Sequence, residues 1–202
     1  MDITDTQQFF GGQIQNMNKK FKLIDKTLCN FLCHHIKAIE PLVGQTTSYD
    51  NGMILGSYEY LHDPLFESLL TLVQPIVEKQ YGKPLLPTYS CWRTYGKGQN
   101  LHPHKDRPSC EVSVSLHIGS SNDKYKWKFF VDEQSFTTKP GECVLYKGMA
   151  QQHWRNDLEI DWHTQAFLHY VEKDGNWSDF IYDKRGGLHR TQENPGHVLD
   201  PR

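Results

Sequence analysis

Beyond Pro87 the apolar residues of this chain stop recurring at helical intervals and begin to alternate. Val112, Val114, Leu116 and Ile118 are interleaved with Glu111, Ser113, Ser115 and His117, the period-two pattern of a strand with two unlike faces. Tyr89–Tyr95, Glu142–Tyr146 and Trp162–Val171 also read as strands, and Tyr125–Val131 and Ser135–Thr138 suggest a hairpin across Asp132-Glu-Gln134. Turn signals separate them: Gly96-Lys-Gly98, the polar run Gly119–Lys124 and Pro140-Gly141. About seven short, regularly broken strands predict a sandwich or barrel of the jelly-roll kind.

The first half reads differently. Asp25 can cap a helix carrying Leu28, Phe31, Leu32, Ile36 and Ile39 at three- and four-residue steps, with Pro41 ending it. Asp63-Pro64 offers a second cap with proline at the first helical position. Leu65, Leu69, Leu72, Val73, Ile76 and Val77 form that helix's expected buried stripe, and Pro75 is expected to kink or divide it. Asp50-Asn-Gly52 reads as a turn, and residues 1–19 as a loose arm or weak first strand. The fold class is therefore mainly β with N-terminal helices (α+β), organised as one domain. Residues 1–86 are its helical support layer, 87–172 its β core and 173–202 a tail in which Trp177, Phe180 and Tyr182 can dock.

A formal charge of −2 over 202 residues gives no chain-wide footprint for nucleic acid or a membrane surface. The five cysteines, at 29, 33, 91, 110 and 143, form no CxxC, which argues against a zinc ribbon and a disulfide framework. With no apolar run long enough for a bilayer, the expectation is a soluble protein of a reducing cytoplasm.

The chemistry concentrates in Asn100-Leu-His-Pro-His-Lys-Asp-Arg107. On an extended chain His104 and Asp106 share a face, with Lys105 turned away. One imidazole and one carboxylate are two legs of a 2-His-1-carboxylate triad, the open-sided site that suits non-heme Fe(II), though zinc accepts the same ligands. His153, in Gly148-Met-Ala-Gln-Gln-His-Trp-Arg155, is the best second histidine. His102 rivals His104, but lies four residues from the carboxylate, about 13 Å along a strand.

The order Tyr95-Gly-x-Gly98, Leu101-x-x-His104-x-Asp106, Pro140-Gly-Glu142, Tyr146-x-Gly148, His153 resembles the Fe(II)/2-oxoglutarate dioxygenases of the prolyl 4-hydroxylase type, over residues 87–172. The bacterial and phage branch is the nearest in flavour, where HWR follows the last ligand; a phage origin would place the protein in the host cell. The resemblance implies a double-stranded β-helix core with Fe(II) at its mouth, held by His104, Asp106 and His153. It further implies 2-oxoglutarate and O2 as co-substrates, with ascorbate open as an accessory reductant. Tyr95, nine before His104, stands where such enzymes place a tyrosine on the far carboxylate of 2-oxoglutarate. They place Lys or Arg about ten residues after the distal histidine; here that position is His163. His163 and Arg155 are the leading anchors, followed by Arg93, with Lys128 a further alternative.

The expected activity is hydroxylation of a C–H bond, in a peptidyl proline or related side chain, with release of succinate and CO2. Alternatives are an oxygenase of a nucleobase or small metabolite, and a non-catalytic jelly-roll module that holds a metal. Expected partners are a peptide, protein or small-molecule substrate and no membrane. Lys124, Lys126 and Lys128, alternating with Tyr125 and Trp127, keep single-stranded nucleic acid open but read better as a lysine-guarded sheet edge. Lys184-Arg185 and Arg190 could help hold a substrate.

Overall fold

The computed structural model describes residues 18–47 and 54–188. The turn at Asp50-Asn-Gly52, most of the N-terminal arm and Arg190 lie outside them. The order is β1 (Lys19–Lys22), α1 (Lys26–Val43), β2 (Tyr58–Leu61), α2 (Pro64–Tyr81), β3 (Leu85–Gly96), β4 (Leu101–His104), β5 (Val112–Ser120), β6 (Phe129–Val131), β7 (Gln134–Phe136), β8 (Glu142–Tyr146), β9 (His153–Arg155) and β10 (Trp162–Glu172). A six-stranded sheet runs β1-β8-β5-β10-β3-β2 and a four-stranded sheet β4-β9-β6-β7, with antiparallel pairing throughout. Of the eight strands β3 to β10, four (β3, β5, β8 and β10) lie in the large sheet and four (β4, β6, β7 and β9) in the small one, and together they form a double-stranded β-helix, as the jelly-roll expectation requires.

Both helices begin where the caps predict. Asp25 accepts from the Leu28 N–H at 2.8 Å, and Asp63 from the Leu65 N–H at 2.9 Å. Pro41 does not stop α1, which continues to Val43 and ends at Gly44 with φ 75°. Pro75 neither kinks α2 into two pieces nor ends it. Pro75 and Thr71 both face water, so the carbonyl that proline leaves without a partner is solvated. The stripe of α2 is Phe66, Leu69, Leu70, Val73, Val77 and Tyr81; Leu72 and Ile76, expected inside, are exposed. Phe31 of α1 is exposed likewise.

The buried stripes of α1 and α2 pack on the outer face of the large sheet, against Val112, Val114, Leu116, Ile118, Leu145, Ala166, Leu168 and Tyr170. Each fully buried Leu, Ile or Val there contributes roughly 1.5–3 kcal/mol. A second cluster, Tyr95, Leu101, Trp127, Phe129, Val131, Val144 and Tyr146, lies between the two sheets. The apolar face of β5 is thus taken by the helices. Its other face, Ser113, Ser115 and His117, is buried as well and turns into the barrel.

The hairpin is shorter than expected, with Phe129 pairing Phe136 and Tyr125–Lys128 lying outside any strand. The run from 100 to 118 is also interrupted. β4 stops at His104, and a 3-10 turn at Pro108–Cys110 separates it from β5. All five cysteines are free thiols. No helix among the described residues is long and apolar enough to cross a membrane.

Candidate metal centre

His104 and His153 face each other directly as a pair across β4 and β9, their ring centroids 4.3 Å apart. Asp106 lies just beyond the end of β4, its backbone N–H donating to the Gly148 carbonyl at 3.0 Å. That bond keeps the carboxylate on the histidine side of the loop after the strand has ended. Asp106 Oδ1 lies 3.4 Å from Nε2 of His104 and 3.4 Å from Nε2 of His153. One ligand atom from each of the three residues falls within 4.8 Å of the others. Two donors held at right angles about 2.1 Å from one ion stand about 3 Å apart, so the set needs little adjustment to share a cation. His102, the rival, is exposed and outside this cluster.

The orientation of both imidazoles is set by the backbone. Nδ1 of His104 lies 2.8 Å from the His102 carbonyl, and Nδ1 of His153 lies 3.0 Å from that of Gln151. A carbonyl can only accept, so each Nδ1 carries a proton, and each Nε2 faces the centre as the atom that would give up its proton to bind a cation. Burial pushes the Asp106 carboxyl up, but the hydrogen bonds from His104 and His153 outweigh it and hold the group well below the usual carboxylate range. For His104 burial acts downward, and the Asp106 carboxylate more than reverses it, so its pKa is raised. An anionic carboxylate between two imidazoles is the donor set a divalent cation would meet.

The fit around Asp106 is tight. A Cβ on Gly148 would stand 2.3 Å from Asp106 Oδ2, 2.4 Å from Ser113 Oγ and 2.7 Å from the Cys110 carbonyl. Gly148→Ala is expected to displace the carboxylate and lower Co(II) affinity by at least the roughly 10–100-fold typical of lost outer-shell support. Titrating the visible Co(II) absorption checks this, and unchanged affinity would show that the loop absorbs the methyl.

Between the sheets lies an unusual buried charge. Arg155, two residues after His153 on β9, is 2 % exposed. Its guanidinium stacks over Trp127 and Phe129 at 4.7 and 4.8 Å, and Nη1 donates to the Trp127 carbonyl at 3.2 Å. It makes no ion pair among the described residues, and its Nε has no partner. Burial pushes its pKa down to about 10, against the opposing influence of the Tyr95 and Tyr146 phenols. A lone guanidinium in such a place is costly unless an anion joins it.

His163, ten after His153, packs on the same indole, with its ring 5.0 Å from Trp127 and 4.1 Å from His117. Its Nε2 lies 2.7 Å from Nε2 of Gln165, an amide nitrogen that can only donate. The His163 proton therefore sits on Nδ1, which has no partner, and His117 Nε2 is likewise unpartnered. Burial, then the neighbouring His117 and Arg155, keeps His163 well below its ordinary pKa and so neutral. Arg93 is engaged already: Glu59 receives its Nη2 at 2.8 Å and its Nε at 3.1 Å, and Tyr95 receives its Nη1 at 3.3 Å. Lys128 is exposed. The structure thus gathers Tyr95, Arg155 and His163 around the Trp127 ring, with Arg93 bonded to Tyr95.

Sequence reasoning missed the layer behind Asp106. Ser113 Oγ is 3.4 Å from Asp106 Oδ2 and 2.9 Å from Nδ1 of His169, whose ring stacks on Tyr89 at 4.6 Å. The alternation of β5 placed Ser113 on the polar face, but nothing in the sequence said that this face looks inward.

Neither a protein-family model nor a curated protein sequence matches the chain. Its fold does match solved structures. A viral collagen prolyl hydroxylase from Paramecium bursaria Chlorella virus-1 superposes with a TM-score of 0.58 at 9% identity, over 77% of this chain and 96% of that one. A Pseudomonas putida prolyl-4-hydroxylase gives 0.55 at 12% identity, over 75% and 91%. The α-ketoglutarate-dependent carbocyclase SnoK of nogalamycin biosynthesis gives 0.62 at 9% identity, over 78% and 80%. The chain is therefore built on the double-stranded β-helix fold that these structures share.

Proposed function

We propose that this protein is an Fe(II)- and 2-oxoglutarate-dependent oxygenase that hydroxylates a C–H bond. The observation that carries the reading is the pairing of two features within one barrel. A 2-His-1-carboxylate set converges at its mouth, and a buried cation lacks an anionic partner in its interior. The fold neighbours support it, since several are 2-oxoglutarate enzymes by their own description.

His104, Asp106 and His153 would hold the iron, and Arg155, with donors from His163 and Tyr95, would hold the far carboxylate of 2-oxoglutarate. Iron and the ketoacid, when bound, supply the oxidising chemistry that hydroxylates the substrate and yields succinate and CO2. The chain's own contribution is orientation. The backbone carbonyls at 102 and 151 keep both Nε2 atoms turned to one point. Arg155 contributes a full charge where water is excluded, and there a single carboxylate recognises it strongly. Tyr95 accepts from Arg93, which leaves its own hydroxyl proton for the carboxylate. Phe129 and Tyr146, packed 5.9 and 4.8 Å from His153, help keep the inner side of the centre dry.

For the substrate we propose a peptidyl proline or related side chain, supported by the two prolyl hydroxylases among the fold neighbours. Small-molecule substrates have support of the same kind, since SnoK shares the fold. The test is release of succinate from 2-oxoglutarate under air, with and without Fe(II), in the presence of proline-rich peptides or a panel of small hydroxylatable molecules. Peptide-stimulated, iron-dependent succinate supports the proline reading, and stimulation by small molecules alone overturns it. No iron-dependent succinate under any condition would leave a metal-binding β-helix module.

A further inference from the structure

The last described residues return to the metal centre. After β10 the chain forms a 3-10 segment, Ser178–Lys184, broken at Ile181–Asp183 and lying against β3. Tyr182, Asp183 and Lys184 hold φ of 52°, 55° and 59° in succession, and none is glycine. Left-handed backbone costs an ordinary residue roughly 1–2 kcal/mol, so three in a row persist only where the surroundings hold them.

Two arginines do so. Arg185, 6 % exposed, donates to Glu67 of α2 at 3.0 Å and to the Thr88 carbonyl at 2.9 Å, which roots the segment. Asp183, also buried, receives Arg107 through two parallel bonds of 2.6 and 2.8 Å. Arg107 directly follows Asp106, and its guanidinium lies 4.6 Å from the Tyr89 ring. Tyr89 stacks on His169, which bonds Ser113, which approaches the outer oxygen of Asp106. The tail therefore reaches the carboxylate along the backbone through Arg107 and from behind through Tyr89.

We propose that Asp183 and Arg107 are positioning residues for Asp106: the C-terminal segment clamps the loop that presents this carboxylate to the metal. The proposal rests on reading His104, Asp106 and His153 as a metal centre. Arg107 is half exposed while the Asp183 carboxylate is buried, and the two-bond fork between them fixes direction as well as contributing energy. Asp106 lies on the loop that leaves β4 after His104, where its backbone N–H is tied to the Gly148 carbonyl and the next residue is Arg107.

The experiment is a Co(II) titration, read by visible absorption, of wild type, Asp183→Asn, Arg107→Met, the double variant and Asp183→Glu. Asp179→Asn, which removes only the exposed partner of Lys184, is the control. Each single loss is expected to weaken Co(II) binding by roughly 10–100-fold, the range for outer-shell partners. The double variant should be no worse than the poorer single, Asp183→Glu should recover part of the affinity, and the control should match wild type. The far-UV spectrum should be unchanged in all of them. Affinities within twofold of wild type in both singles, or a double that multiplies the two losses, overturn the clamp. A wild type that takes up no Co(II) overturns the clamp and the metal centre together; intact uptake with unaffected variants overturns the clamp alone.

Discussion

Arg155→Met is expected to melt at a higher temperature than the wild type when free of ligand, and to bind 2-oxoglutarate far more weakly. Both effects have one cause. The wild-type guanidinium is buried against Trp127 and Phe129 with no ion pair among the described residues, and its Nε is unpartnered. Replacing a buried ion pair by apolar chains of similar volume is often neutral or stabilising by about 1–4 kcal/mol, and here the charge has no ionic partner to lose among the described residues. Loss of the bond to the Trp127 carbonyl takes back about 1 kcal/mol. In the proposed complex the same charge would face a desolvated carboxylate, and removing one partner of such a pair costs about 2–5 kcal/mol, or 30- to 5,000-fold in affinity. Calorimetric titration of 2-oxoglutarate into the Mn(II)-loaded protein without oxygen, beside thermal unfolding of the apo protein, reads both. His163→Leu serves as the contrast: a neutral ring that offers one donor should cost about 2- to 10-fold. Retained affinity in Arg155→Met would move the anchor elsewhere, and a larger loss in His163→Leu would move it to the position the prolyl hydroxylase pattern favours.

The second large effect concerns the centre itself. His104→Ala and Asp106→Ala are each expected to eliminate iron-dependent 2-oxoglutarate turnover while the β-helix remains folded. His104 is one-third exposed at the end of a short strand, so trimming it should shift stability by no more than about 1 kcal/mol. Its removal leaves one imidazole and one carboxylate for the cation, and affinity should fall by more than the roughly 10–100-fold caused by losing outer support. Asp106→Ala removes the only anion of the set and leaves two imidazoles 4.3 Å apart with nothing between them. Succinate assays with saturating Fe(II), next to circular dichroism of each variant, decide the matter. Full turnover by both would refute the ligand assignment.

How much of this was legible beforehand depends on the range of the interaction involved. Helix starts at Asp25 and Asp63 were readable because a cap is settled within three residues. The strands were readable from alternation, and the two-sheet architecture from their number and spacing. Pro75 misled because its effect depends on whether the carbonyl it frees meets water, which is a matter of the face it occupies. Leu72 and Ile76 misled for a related reason: the helix turns Phe66 and Leu70 inward instead, a choice made by the sheet it covers.

The sequence by itself determined the chemistry available: which histidines and carboxylates stand at ligand spacing, and which arginine follows the last of them by two. Only the tertiary structure decided which way the alternating strands look. An alternating strand ordinarily turns its polar side to water. Here the helices claim the apolar side of the large sheet, and the small sheet closes over the other. Ser113, His117, His163 and His169 are thereby shut inside the barrel with Arg155. Burial on both faces is a property of two sheets meeting across the fold, and no local pattern along one strand encodes it.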